Sequence, residues 1–189
     1  SRFGCERVIR YAYELARKEK KRLTSISKAN ALNYSMVFWD QMFKEIGEEY
    51  PDVVTDSYLV DAASMFFVKE PQRFQIVVTS NLFGDILTDL GAAIAGGMGL
   101  AAGANPEKKF PSMFEPIHGS APDIAGTGQA NPLAAIWSVS QMLDFFGYEE
   151  WGKTIIDTIE ELLVKKEVLT SDLGGTATTK EVGDAIVSL

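Results

Sequence analysis

The sequence has little of what several function classes need. It holds one cysteine, Cys5, and one histidine, His118, in 189 residues. A single thiol closes no internal disulfide, so a reducing compartment is the default expectation. Basic charge is also short: 18 Lys and Arg stand against 26 Asp and Glu, for a net charge of −8. That balance argues against broad nucleic-acid or anionic-membrane binding, which needs clustered Lys and Arg. No apolar run approaches the ~20 residues of a membrane span, and the first residues do not form a signal peptide. There is no G-x-G-x-x-G, no internal repeat and no low-complexity tract. What is present is an ordinary globular balance, 46% hydrophobic and 23% charged, enough for a buried core. The expectation is a soluble, cytoplasmic chain.

The chain opens at Ser1 almost directly into helical spacing, with Val8, Ala12 and Leu15 alongside Ile9, Tyr13 and Ala16. Such a start suggests a cut, and a fragment of a longer protein. The basic run Lys18 to Arg22 fits a solvated helix end favoured by the macrodipole. Leu23 to Ile26 is β-like. A helix follows, its apolar positions Leu32, Met36, Trp39, Phe43 and Ile46 stepping by four and three, and Tyr50-Pro51-Asp52 breaks it. A second helical pattern spans about Leu59 to Val68, Phe74 to Thr79 reads as a buried strand, and Leu82 to Ile94 is helical again. Gly96, Gly97, Gly99 and Gly103 mark a crossing between two lobes, placing the domains at 1–96 and 97–189. The Pro- and Gly-rich stretch Asn105 to Gly128 is expected to be a long functional loop. Asn131 is the expected N-cap and Pro132 the first residue of a well-buried helix carrying Leu133, Ile136, Trp137, Leu143 and Phe146. An amphipathic helix around Trp151 to Leu162 comes next. The last helix opens on a capping box, Thr178 with Glu181. Strands alternating with helices make the fold α/β.

Three segments carry chemistry. In N-L-F-G-D-I-L-T-D-L, from Asn81 to Leu90, Asp85 and Asp89 stack on one helix face among apolar neighbours. Two like charges there need compensation, and a hard divalent cation, Mg²⁺ or Mn²⁺, suits oxygen ligands. The alternative is two solvated carboxylates on an open edge. Asp61 in Y-L-V-D-A-A sits at a helix start, where an acid is commonly stabilised by the positive helix end. Lys28 and Asn30 form K-A-N where a strand passes into a helix. A lysine there is usually a surface residue; partly desolvated beside a metal, it would serve as a base. The third segment is M-F-E-P-I-H-G-S-A-P-D-I-A-G-T-G, from Met113 to Gly128. A lone histidine is more often packed or capping than catalytic, but His118 lies between Pro116 and Gly119, in a loop whose glycines let backbone N–H groups approach a phosphate. Asp123 has the chemistry to accept hydrogen bonds from a ribose diol and to repel a 2′-phosphate.

Together these residues resemble the metal-dependent β-decarboxylating dehydrogenases, which include the 3-isopropylmalate, isocitrate, homoisocitrate and tartrate/D-malate enzymes. The resemblance runs along essentially the whole chain: T-S-I-S-K-A-N at 24–30, V-D-A at 60–62, N-L-F-G-D-I-L-T-D at 81–89, F-E-P-I-H-G-S-A-P-D-I-A-G at 114–126, A-N-P at 130–132 and D-L-G-G at 172–175. It implies an isopropylmalate dehydrogenase-like two-domain fold of which this chain is the C-terminal half. Residues 1–96 would be the later part of the dimer-forming domain, and 97–189 the C-terminal part of the cofactor domain. It also implies that Asp85 and Asp89 bind Mn²⁺ or Mg²⁺ with Asp61 supplied across a homodimer. Lys28, likewise offered across the dimer, would take the proton of the substrate hydroxyl, with Asn30 by the nicotinamide end. His118, Gly119, Ser120, Ala121, Asp123 and Asn131 would cradle the adenosine part of the cofactor, with Glu115 near the nicotinamide. Asp123 matches the NAD-using members. The proton donor and the substrate arginines of the family would lie upstream, so the 189-residue chain alone is expected to be inactive. The stretches N-P-E-K-K-F-P-S-M-F-E-P and Y-S-M-V-F-W-D look closer to the tartrate/D-malate branch than to the isopropylmalate branch. Two other classes are set beside this reading. An all-helical Mg²⁺-diphosphate enzyme is opposed by the strand at 74–79. A non-catalytic regulatory or dimerisation subunit is opposed by the intact Lys28, Asp61, Asp85 and Asp89.

Overall fold

The structure, a computed structural model, describes residues 1–106 and 111–189, and the chain divides into two compact units, Ser1–Ile94 and Ala95–Leu189. The first unit is built on a parallel sheet in the order β2-β1-β3. Its central strand β1 (Leu23–Ser27) is buried along its whole length, between β2 (Thr55–Leu59) and β3 (Ile76–Thr79). A strand covered on both faces tolerates polar side chains only when they are hydrogen-bonded. Accordingly the Thr24 hydroxyl donates to Asp56 Oδ1 at 2.5 Å, and Ser25 Oγ accepts the Trp39 indole N–H at 3.0 Å.

Helix α1 (Arg2–Glu19) buries the face made by Ile9, Ala12, Tyr13 and Ala16, and ends at Lys20 in the left-handed conformation with Arg17 and Lys18 in its last turn. Helix α2 (Ser35–Gly47) packs beside it. Tyr13 stacks on Phe43 and Tyr50 and donates its hydroxyl to the Phe43 carbonyl at 3.1 Å. Gly47 is required there, because a Cβ would stand 2.6 Å from that hydroxyl. The periodicity predicts that α2 includes Leu32; in the structure Leu32 lies in the turn before Ser35 and is exposed. Strand β2 was not expected. Its sequence T-D-S-Y-L carries no apolar run to mark it as a strand, and it pairs only with β1. Helices α3 (Val60–Lys69) and α4 (Asn81–Ile94) follow β2 and β3 directly and pack on each other.

In the second unit, β4 (Ala102–Asn105), at the end of the glycine crossing, pairs antiparallel with β5 (Met113–Pro116), which lies inside the stretch expected to be a long loop. These strands are four residues each and contain Gly and Pro, so no alternation announces them. Residues 107–110, part of the stretch used to weigh the substrate branch, lie outside the described residues. Helix α5 (Leu133–Phe145) is followed by α6 (Glu149–Lys165) and α7 (Thr179–Ser188), around a core of Leu133, Ile159, Leu162, Leu169 and Val182. Contrary to expectation α5 is not buried all round: Trp137, Val139 and Phe146 are exposed. Its buried face is instead made of Leu133, Ala134, Ser138 and Ser140. Small residues there let α6 approach closely enough for the Ser140 hydroxyl to reach the Gly152 carbonyl at 2.9 Å. The capping box of α7 forms as expected, Thr178 and Glu181 satisfying each other's backbone N–H.

Candidate active site

In a parallel sheet the carboxyl ends of the strands open toward the ligand, because the crossovers that follow them diverge there. The candidate site residues of the first unit all follow such ends. Lys28 comes one residue after β1, Asp61 lies in the first turn of α3 after β2, and α4, which carries Asp85 and Asp89, begins two residues after β3. Lys28 is steadied by a tight turn in which its carbonyl accepts the N–H groups of Ala31 and Leu32. Its Nζ donates to Asp61 Oδ1 at 2.6 Å, so strands β1 and β2 bring together residues 33 positions apart. The Lys28 ammonium holds the Asp61 carboxyl below the usual aspartate range, helped by the backbone N–H groups of Asp61 and Ala62. Asn30 lies exposed in the same turn.

Asp85 and Asp89 are both exposed on α4, and so are Leu82 and Ile86, while Phe83 and Leu87 point into the unit. The two carboxylates thus keep apolar neighbours on both sides of the helix, exposed Leu82 and Ile86 beside them and Phe83 and Leu87 on the buried side. Two oxygen donors one turn apart on an open face fit a hard cation such as Mg²⁺ or Mn²⁺. Among the described residues no three Asp, Glu, His or Cys side chains gather closely enough to hold a metal. Asp61 is thus not brought to Asp85 and Asp89 within the chain. A separate cleft of about 470 Å³, lined by Arg17, Lys20, Lys21, Arg22, Asp52 and Gln75, lies at the amino ends of the strands, away from these residues.

In the second unit, Glu115 is exposed on β5, and a loop then runs through half-buried His118 and exposed Gly119, Ser120, Ala121 and Asp123. His118 Nδ1 lies 3.0 Å from the Gly119 carbonyl oxygen. Nothing stands within 4 Å of where a Gly119 side chain would begin, so its backbone is open to a ligand. Ala121 has φ +41°, a left-handed conformation costly for a residue with a Cβ, and it is the one non-glycine in this state among the described residues that does not cap a helix. The loop ends at Asn131, which is buried. Its Oδ1 accepts the Leu133 N–H at 3.0 Å, so it caps α5 although Pro132 occupies the cap position itself. Its Nδ2 donates to Asp172 at 3.0 Å. Asp172 is the residue that the sequence reading missed as a site component; its only signal was its place in D-L-G-G.

The model of the isocitrate/isopropylmalate dehydrogenase family matches residues 1–186. The chain is 47% identical over its whole length to a probable tartrate dehydrogenase/decarboxylase of Bacillus subtilis, covering 53% of that protein. It is 51% identical over 98% of its length to the 3-isopropylmalate dehydrogenase of Thermobifida fusca, covering 52% of it. The structure superposes on the crystal structure of isocitrate dehydrogenase from Methylococcus capsulatus with a TM-score of 0.94 at 42% identity, over all of this chain and 56% of that one. The chain belongs to the isocitrate/isopropylmalate dehydrogenase family. It spans about half the length of the relatives it matches, so its α/β fold is one half of the family's fold.

Proposed function

We propose that the protein to which this chain belongs is an NAD-dependent, divalent-metal-dependent dehydrogenase that oxidatively decarboxylates a (2R)-2-hydroxy dicarboxylic acid of the tartrate/D-malate type. The observation that carries the reading is the 2.6 Å contact between Lys28 and Asp61 at the carboxyl edge of the parallel sheet, with Asp85 and Asp89 on the helix that leaves the same edge. Bound by those carboxylates, Mn²⁺ or Mg²⁺ supplies Lewis-acid polarisation of the substrate oxygens, and bound NAD supplies the hydride acceptor. In its neutral amine form Lys28 takes the hydroxyl proton at Nζ, and Asp61 holds the ammonium that results. Asp85 and Asp89 would hold that cation at the carboxyl edge of the sheet. Asn30 stands at the nicotinamide end, with Glu115 near it. Gly119 leaves its backbone open to the dinucleotide, flanked by His118, Ser120 and Ala121. Asp123 accepts from the ribose diol and disfavours a 2′-phosphate, which selects NAD over NADP. The overall change converts the hydroxy acid and NAD⁺ into a keto acid one carbon shorter, CO₂ and NADH.

Because Asp61 does not meet Asp85 and Asp89 within one chain, the active unit in this reading is a cytoplasmic homodimer whose site is shared. The exposed apolar side chains Met65 and Val68 of α3 and Leu82 and Ile86 of α4 support a covered face on those helices. A 3-isopropylmalate substrate is the second reading, since the relative of that name is as similar as the tartrate relative. The test is NADH formation by the complete polypeptide with Mn²⁺ and NAD⁺, offered D-malate, tartrate and 3-isopropylmalate separately. Turnover of the first two supports the proposed branch. Turnover of the third alone keeps the chemistry and changes the substrate.

A further inference from the structure

The D-L-G-G segment has a geometric purpose that its lack of reactive chemistry hides. Leu173 packs against the core of the second unit. Gly174 has φ +80°, and a Cβ on Gly175 would run into the Leu169 carbonyl. This shape delivers Asp172 to Asn131, 41 residues away in sequence. Asp172 Oδ2 accepts the Asn131 Nδ2 at 3.0 Å, and Oδ1 accepts the hydroxyl of fully buried Thr170 at 2.5 Å. Gly99 completes the fit, because a side chain there would begin 2.7 Å from Asp172 Oδ2 and 2.9 Å from Asn131 Nδ2.

The Asn131 carboxamide is therefore held at both ends. Its oxygen faces the Leu133 N–H, and its nitrogen faces a carboxylate. Turning the amide over would set two donors against each other and two acceptors against each other, so one orientation is fixed. The main chain of the same segment is tied as well. The Gly128 carbonyl accepts the Thr179 N–H at 2.8 Å, and the Ala130 carbonyl accepts the Thr179 hydroxyl at 2.5 Å. Residues 170–179 thus frame the end of the loop assigned above to the dinucleotide.

We propose that Asp172 is a positioning residue for dinucleotide binding, acting through Asn131; the assignment rests on the NAD reading. With one Nδ2 hydrogen given to Asp172, the other hydrogen and the free lone pair of Oδ1 are presented in a set direction. Without Asp172 the amide either leaves Nδ2 without an acceptor or rotates away and gives up the cap on α5. Preorganisation of this kind adds affinity without adding a contact.

The test titrates NAD⁺ calorimetrically into the complete polypeptide, for wild type, Asp172→Ala, Asp172→Asn and Thr170→Val, with melting midpoints and the Asn131 side-chain amide resonances recorded in parallel. The expected result is a dissociation constant raised about tenfold in Asp172→Ala, the scale of one net hydrogen bond. Asp172→Asn, whose amide oxygen still accepts from Nδ2, recovers most of the affinity, and the Asn131 amide pair shifts in the alanine variant only. Should Asp172→Ala not fold, a rise of severalfold in Thr170→Val supports the assignment and an unchanged constant overturns it. A lowered melting midpoint with unchanged NAD⁺ affinity in Asp172→Ala makes the clip structural and overturns it. Equal loss in Asp172→Asn and Asp172→Ala does the same, because charge rather than amide orientation would then matter. If wild type itself binds no NAD⁺, the dinucleotide reading falls first and this assignment falls with it.

Discussion

In the proposed reading Lys28 and Asp61 carry the chemical weight of the first unit, and their contact makes two predictions. Lys28→Met removes the amine without removing its stem, and kcat/KM of the complete enzyme is expected to fall by about 10²–10⁴, the range for losing a positioned acid–base group. Steady-state NADH formation measures it. The second prediction follows from the depressed Asp61 carboxyl. A lowered pKa stabilises above the ordinary aspartate range and is lost only as pH falls through the lowered value, so the pair persists into mild acid. The Asp61 side-chain carbon signal should titrate below an ordinary aspartate, and Lys28→Met should return it upward. Elsewhere in this unit, burial pushes the Tyr13 phenol up to about 12. The folded form then keeps its proton after the unfolded chain has lost it. Stability should therefore hold below pH ~10 and fall as pH rises toward 12, as base titration at constant temperature would show. At this scale the sequence exposed residue types but not partners. Lys28, Asp85 and Asp89 stand out by context, whereas the Asp61 and Asp172 contacts bridge 33 and 41 residues and leave no spacing signal.

Among the elements, those with a strong period were legible and those shaped by neighbours were not. Helices α1, α4, α6 and α7 follow their apolar spacing, and the capping box marks the start of α7 directly. Strand β2 carries Asp and Ser in place of an apolar run, and β4 and β5 are short strands interrupted by Gly and Pro. The exposed Trp137 and Phe146 of α5 show that an apolar composition does not say which side is covered. Two substitutions test the frame at this scale. Thr178→Ala removes the side-chain half of the capping box and is expected to cost about 1 kcal/mol in denaturant unfolding. Gly175→Ala forces a methyl against the Leu169 carbonyl and is expected to cost about 1–3 kcal/mol, with NAD⁺ affinity falling alongside.

For the molecule as a whole, the division into two units matches a division of labour in the proposed reading. The first unit carries the base and the cation ligands, and the second carries the dinucleotide loop and its frame. The α/β class followed from strands alternating with helices and the family from six ordered motifs, and the comparisons establish the family. The separation of Asp61 from Asp85 and Asp89 within one chain was not visible in composition or period. It emerges from three dimensions, where Asp61 pairs with Lys28 and stays apart from Asp85 and Asp89.

The most direct measurement is NADH formation by the complete polypeptide with D-malate and NAD⁺ under titrated Mn²⁺, comparing wild type with Asp85→Asn. The account predicts saturable Mn²⁺ dependence that a chelator abolishes, and a variant that needs far more Mn²⁺ or fails to turn over. Turnover that ignores the chelator, or an Asp85→Asn variant with wild-type Mn²⁺ dependence, would contradict it.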